Sequence, residues 1–468
     1  LLFNSFTFLL FFGAFLLIYK LLPSNYRKQG LLVASYTFYA FWRFEYIFLL
    51  LFSTLLDYVC ARQIERATQS KVRKAYLFLS LFINLGILVF FKYANFFGDN
   101  VVSLANLLGV ETSWVTWHLV LPLGISFYTF QTISYTLDVY HCRLNAEKSI
   151  INLALYVSFF PQLIAGPIER ARDLLPQFNQ LKLRFSQEAI YWITLGFFKK
   201  MVVADNLAPF VEKIFNPDIQ VGAVDYLWGM YAFAIQVYAD FSGYSDIALG
   251  VALLLGVRLH QNFRQPYFAS SFQEFWRRWH ISLSFWLRDY VYFALGGSQS
   301  KRTLFTYRNL LLTMLVGGLW HGASWTFVLW GALHGALLIT ERPWLGATIH
   351  YPALRFLKQC WVFHWVALAF VIFRAKSVSQ AIEILRQIGE GIGQIVGAFD
   401  LETFPKVGCF FAVVLGLLDW GQKKQWFIPT ASNNGWRYWL RFGILTGLFW
   451  AIMFFGVFRG AQFIYFQF

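Results

Sequence analysis

The chain has 468 residues, of which 58% are hydrophobic, 21% aromatic and only 13% charged. Soluble proteins carry roughly 25% charged residues, so this composition excludes a soluble globular domain and points to an integral membrane protein. Basic residues outnumber acidic ones by 39 to 24, for a formal charge of +15. They gather in stretches such as Arg62, Arg66, Lys71, Arg73 and Lys74, where the positive-inside rule and anionic lipid head groups account for them. No basic stripe is interleaved with stacking aromatics, and nucleic acid is not expected as a partner.

In chain order, apolar runs predict helices over residues 6–22, 31–41, 46–60, 75–91, 118–140, 150–165, 189–204 and 226–239, then over 242–257, 310–319, 324–339, 357–373, 407–420 and 439–457. The expected architecture is an all-α polytopic bundle forming a single integral-membrane domain, residues 1–468. Residues 1–22 are read as the first span and not as a signal peptide. No basic residue precedes the apolar run, and Pro23-Ser24-Asn25 is not a small-x-small cleavage pattern. Because the chain starts at Leu1 and not at Met, a residue or two is expected to precede it.

Several runs are shorter than the ~20 residues that cross a hydrocarbon core. Paired short helices that enter, break and turn are therefore expected, with each break buried in protein or lining a cavity. The basic stretch Arg62 to Lys74 and the charged stretches Glu169 to Arg184 and Arg258 to Arg308 are assigned to the cytoplasmic side.

Cys60, Cys142, Cys360 and Cys409 lie far apart, without a C-x-x-C or zinc spacing. They are read as packing residues, and no metal is expected. There is no G-x-S-x-G elbow, P-loop or G-x-G-x-x-G, so a serine nucleophile is unsupported and no cofactor-binding residue is assigned. Nor is there an internal repeat or a hydrophilic run long enough for a soluble catalytic domain. The product must be used in the membrane or passed to a partner.

The strongest candidate for chemistry is His321, in Gly317-Gly318-Leu319-Trp320-His321-Gly322-Ala323. It lies in a stretch from Asn309 to Ile339 that contains no Asp, Glu, Lys or Arg. A polar side chain at membrane depth costs free energy and marks a functional position. With Arg308 at an interface, a rise of 1.5 Å per residue puts His321 roughly 20 Å in, beside a break expected at Gly322-Ala323-Ser324. The competing reading is an imidazole that donates one hydrogen bond to a carbonyl. Against it stand the small-xxx-small pair Gly318 and Gly322, which permits close helix approach. A neutral imidazole there is suited to take a hydroxyl proton as the oxygen attacks a thioester.

The second candidate is His280, within Phe275-Trp276-Arg277-Arg278-Trp279-His280-Ile281-Ser282. The surrounding segment, residues 260–308, is both highly charged and highly aromatic, which fits an amphipathic or re-entrant element. Read as a helix, it places Arg277, His280, Ser284 and Arg288 near one face. Its alternative reading is an amphipathic residue of an interfacial helix. His334 is weighted towards packing, and His118, His141, His260, His350 and His364 are read as peripheral. The segment from Asp240 to Asp246 sets two acids where two predicted helices meet, as a proton relay or, the preferred reading, as partners of an arginine.

The two histidine segments resemble the membrane-bound O-acyltransferase family, in particular its bacterial polysaccharide O-acetyltransferase branch. So, in order, do Phe91-Lys92-Tyr93-Ala94-Asn95-Phe96, Leu121 to Tyr128, Ala165-Gly166-Pro167-Ile168, Asp240 to Asp246, Phe275 to Asp289, Tyr307 to Gly322 and the closing Phe463-Ile464-Tyr465-Phe466. The resemblance implies a bundle of tilted and re-entrant helices around a tunnel, with His321 matching the family's essential histidine and His280 its second. It also implies an acetyl group taken from a cytoplasmic donor, acetyl-CoA as substrate and not as bound cofactor. That group would pass to a periplasmic SGNH-type, esterase-like partner for O-acetylation of a polysaccharide such as alginate, from the bacterial cytoplasmic (inner) membrane.

Peptidoglycan O-acetylation and D-alanyl transfer to teichoic acid use similar machinery. The long stretch at residues 344–468 favours the acetylating branch over the D-alanyl one. A transporter of acyl donor or glycan is the rival from another class, and a scaffold anchoring a periplasmic enzyme is a third reading.

Overall fold

The computed structural model describes all residues except 1–2, 115–116, 118–119, 299–302, 345–350, 393–404, 425, 427–434, 459–462 and 465–468. Among the described residues all regular structure is helical, and the backbone groups into two compact units. The predicted positions His118, His350, Tyr465 and Phe466 lie outside the described residues.

The first unit holds helices α1 (Phe6–Leu21), α2 (Arg27–Ala40), α3 (Tyr46–Arg66), α4 (Ser70–Leu107), α5 (Ile125–Tyr140), α6 (Ile150–Ser158), α7 (Phe160–Leu163) and α8 (Ala171–Leu174). Apolar side chains such as Phe78, Phe82, Leu85 and Val89 are exposed on α4, while Ser80 and Asn84 on the same helix are buried. This pattern suits a chain whose outer solvent is lipid. The buried polar groups pair with one another: Asp57 accepts hydrogen bonds from Ser80 Oγ (2.5 Å) and Asn84 Nδ2 (3.0 Å), joining α3 to α4. In hydrocarbon such groups have no water to turn to, so pairing them defines which helix faces meet.

Two of the segments quoted above also meet in this unit. Gly124, at φ +72°, precedes α5, and a Cβ there would collide with the Leu163 carbonyl, just ahead of Ala165-Gly166-Pro167. Both the positive φ and the close approach require glycine.

The second unit begins with α9 (Gln187–Phe197), which runs through a π-helical stretch, Phe198–Ala204, into α10 (Asp205–Phe215) and then α11 (Ala223–Leu254). It continues with α12 (Phe272–Trp276), α13 (Ile281–Leu287), α14 (Thr303–His321), α15 (Trp325–Glu341), α16 (Pro352–Arg374), α17 (Val378–Ile392), α18 (Lys406–Lys423) and α19 (Trp436–Phe455). α9 and α11 cross at glycines. A Cβ on Gly243 would lie 2.8 Å from the Gly196 carbonyl oxygen, and one on Gly250 would lie 2.7 Å from that of Ala189. Both pairs are spaced by seven residues, two helical turns, so they form one seam of close backbone contact.

Among the described residues four helices, α3, α4, α16 and α19, are long and apolar enough to cross a membrane. Several expectations are corrected. The helices predicted over 226–239 and 242–257 are one continuous α11, because the polar Asp240 and Asp246 find partners inside the unit. The expected basic loop from Arg62 to Lys74 shrinks to residues 67–69, since α3 and α4 extend into it. Helices α10 and α17 had no predicted counterpart. Cys60 is buried, but Cys142 and Cys360 are exposed and do not pack, and all four cysteines are free thiols.

Candidate active site

α14 and α15 form a hairpin whose closeness is set by glycine. A Cβ on Gly318 would strike the Phe327 carbonyl and approach Gly331 Cα at 3.2 Å, and one on Gly331 would strike the Met314 carbonyl. The break falls where the sequence placed it: α14 ends on His321, and Ser324 caps α15, its hydroxyl accepting from Thr326 N at 3.3 Å. His321 is therefore the last helical residue before the turn.

It is buried, 6% exposed, and boxed by three aromatic rings in edge contact. Ring centroids lie 5.1 Å away for Trp320, 5.0 Å for Trp330 and 5.2 Å for Phe373, at 80°, 83° and 77°. Such T-shaped contacts hold the imidazole plane in place.

His280 is not on a continuous helix with Arg277, Ser284 and Arg288. α12 ends at Trp276, the chain turns, and His280 stands at φ 41° and ψ 56° as the residue preceding α13. A left-handed backbone is costly for a residue that carries a Cβ and persists where surroundings over-determine it. Here they do. Ile281 N donates to the Asn262 carbonyl oxygen (2.9 Å), and Arg264 N donates to that of Arg278 (2.9 Å), so residues 262–264 brace the turn. His280 itself is fully buried at 0% exposure, whereas Arg277 and Arg288 are exposed. The reading of His280 as an amphipathic interfacial residue is thereby overturned.

The Asn262 side chain assigns the tautomer of His280. Asn262 Oδ1 accepts from Ser282 N (3.2 Å) and Ser282 Oγ (2.9 Å), and a backbone N–H can only donate, so the atom facing the turn is the oxygen. His280 Nδ1, 3.1 Å from that oxygen, must then carry the proton. The neutral ring keeps a lone pair on Nε2. Burial pushes the His280 pKa down to about 3, which keeps the ring neutral.

The structure brings the two histidines together through one residue. Trp320 contacts His280 at 5.7 Å and His321 at 5.1 Å, and Phe241 closes on His280 from α11 at 4.7 Å. His334, weighted towards packing by its sequence, sits among aromatic rings. It is 1% exposed, lies 4.7 Å from Trp330 and 5.0 Å from Trp276, and neither of its ring nitrogens has a hydrogen-bond partner among the described residues. Of the histidines read as peripheral, His141 and His260 are exposed, and His364 is half-buried with Nδ1 2.8 Å from Tyr231 Oη.

The partners of the α11 acids are lysines and not arginines. Lys199 Nζ is 2.7 Å from Asp246, and Lys200 Nζ is 2.7 Å from Asp240 and 2.8 Å from Asp205. Both lysines come from the π-helical stretch, whose wider turn presents consecutive side chains to α11. Asp240 also accepts from Ile464 N at 2.7 Å, tying part of the closing segment to the same cluster. Asn262, Lys199 and Lys200 escaped the sequence reading. For the lysines a signal existed, two adjacent charges inside an apolar run, but Asn262 carries none until the fold sets it against His280. No grouping of His, Cys, Asp or Glu suited to a metal ion occurs among the described residues.

Residues 143–379, which contain both histidines, match the family model of membrane-bound O-acyltransferases. The chain is 45% identical over 384 residues to the probable alginate O-acetylase AlgI of Azotobacter vinelandii, a match covering 81% of this chain and 75% of that one. It is 38% identical to the peptidoglycan O-acetyltransferase of Helicobacter pylori, over 80% and 76% of the two chains. It is 31% identical to the teichoic acid D-alanyltransferase of Streptococcus thermophilus, over 48% and 57%. The chain belongs to the membrane-bound O-acyltransferase family. It is a multi-pass membrane enzyme of the O-acyltransferase class.

Proposed function

We propose that this enzyme moves an acetyl group from a cytoplasmic thioester donor, acetyl-CoA, towards a polysaccharide outside the bacterial cytoplasmic membrane, with alginate the first candidate polymer and peptidoglycan the second. The observation that carries the reading is His321, a buried imidazole at a helix break, boxed by aromatic rings, in a chain 45% identical to a probable alginate O-acetylase. A periplasmic SGNH-type partner takes the acetyl group on to the polymer. Acetyl-CoA acts as substrate, and no resident cofactor is invoked.

In this reading His321 is the general base. It accepts the proton of an acceptor hydroxyl as that oxygen forms its bond to the acyl carbon. The C–S bond then breaks, and the proton passes from the imidazolium to the leaving thiolate. His280 positions the reacting groups. With its Nδ1–H donated to Asn262, its Nε2 lone pair is suited to receive an O–H or S–H donor and not to polarise a carbonyl.

The test is acetyl transfer by purified wild-type and His321→Ala protein, supplied with labelled acetyl-CoA and a hydroxyl acceptor, with folding checked by thermal denaturation. Loss of transfer by 100-fold or more is expected. Unchanged transfer in a folded His321→Ala protein would overturn the base assignment.

A further inference from the structure

Trp276, Trp330 and His334 close a triangle of heteroaromatic rings one ring away from His321. The centroids are 5.7 Å apart for Trp276 and Trp330, 5.0 Å for Trp276 and His334, and 4.7 Å for Trp330 and His334. Every pair meets edge-on, at 75°, 80° and 67°. Phe275 stacks on His334 at 6.3 Å and 6°, and Trp330 reaches His321 at 5.0 Å.

The polar atoms of this triangle are the unusual part. The indole Nε1 of Trp276, that of Trp330 and both ring nitrogens of His334 are buried without a hydrogen-bond partner among the described residues. Each such atom costs about 1–3 kcal/mol when left unsatisfied, and native interiors hold few of them. Four in a single ring cluster call for a group that completes them.

The inventory of the four atoms selects that group. Two indoles and one imidazole nitrogen donate, and the other imidazole nitrogen of the neutral ring accepts. A thioester carbonyl only accepts, and would leave the accepting nitrogen unpaired. A hydroxyl or a water both accepts and donates, so its O–H serves the accepting nitrogen while its two lone pairs take two of the three donors.

We propose that Trp276, Trp330 and His334 hold an O–H group beside His321, and that His334 is a positioning residue for acyl transfer. The proposal rests on the reading of His321 as the base. The O–H group belongs either to the acyl acceptor or to a water, and the experiment separates these two sources.

His334→Phe removes both ring nitrogens while keeping an aromatic ring. His334→Asn keeps one donor and one acceptor, and Trp276→Phe removes a single indole N–H. Each is made in the full chain with His321 intact, and transfer of labelled acetyl from acetyl-CoA to glycerol is measured beside its hydrolysis. Replacing an unsatisfied buried polar group by an apolar one is neutral or stabilising. His334→Phe is therefore expected to keep its melting temperature while losing about tenfold to 100-fold in transfer, and His334→Asn to recover a substantial part. A raised KM for glycerol assigns the held O–H to the acceptor, whereas lost hydrolysis with an unchanged KM assigns it to water.

Wild-type rates of both reactions in His334→Phe and Trp276→Phe overturn the proposal. So does parallel loss of activity and melting temperature in His334→Phe and His334→Asn, which would make the residue a packing element. Full activity in His321→Ala would instead remove the base assignment, an outcome read from a different variant.

Discussion

Asn262 holds His280 through a single oxygen, which receives His280 Nδ1 at 3.1 Å and the Ser282 backbone N–H at 3.2 Å. One side chain thus sets both the left-handed turn before α13 and the tautomer of the imidazole inside it.

Replacing Asn262 by Leu strands the Ser282 N–H and the His280 Nδ1–H in a buried site. A loss of about 1–3 kcal/mol per stranded donor is expected, together with at least tenfold weaker acetyl transfer. Thermal denaturation and a transfer assay on the same preparation check both parts. A variant that keeps wild-type stability would contradict the bracing role.

The pH dependence of stability follows from His280, which lies in the turn between α12 and α13 and outside the spanning helices. Its folded pKa, pushed by burial to about 3, is below the ordinary ~6.5. As pH falls, the unfolded chain takes up that proton first. The stabilisation is fully present above about pH 6.5 and is lost as pH falls towards the folded value. Melting temperature should decline more steeply over that range in wild type than in His280→Gln, and identical slopes would rule this source out.

Gly318 marks the closest approach of α14 and α15, where a methyl group would strike the Phe327 carbonyl. Gly318→Ala should separate the helices, cost about 1–3 kcal/mol and displace His321 enough to lower activity. Gly86→Ala, where a Cβ meets nothing within 4 Å, is the control and should leave activity intact.

Lys200 bridges Asp205 and Asp240 with a single ammonium. Lys200→Met leaves two carboxylates buried without their cation, and a loss of about 3–5 kcal/mol is expected. Adding Asp205→Asn and Asp240→Asn should restore much of it. Equal stability of the single and triple variants would show that the cluster carries no net charge coupling.

The sequence by itself determined the helical membrane class, through a composition that no soluble fold tolerates, and the position of His321. A histidine flanked by glycines in a run without charges signals both a buried site and a helix break, and both cues are local. The family likeness was equally local, carried by short motifs in order. What tertiary structure alone decided was pairing. Asp240 and Asp246 read as partners of an arginine until the fold set lysines from a π-helical turn against them. His280 read as one face of an interfacial helix until Asn262, distant from it in sequence, fixed the turn. His334 reads as packing in the sequence, and only the fold shows that Trp276 and Trp330 surround it with both ring nitrogens unpartnered among the described residues. Periodicity and hydropathy report how each residue meets solvent along its own element. Which polar group satisfies which is a contact between elements, and only the fold makes that choice.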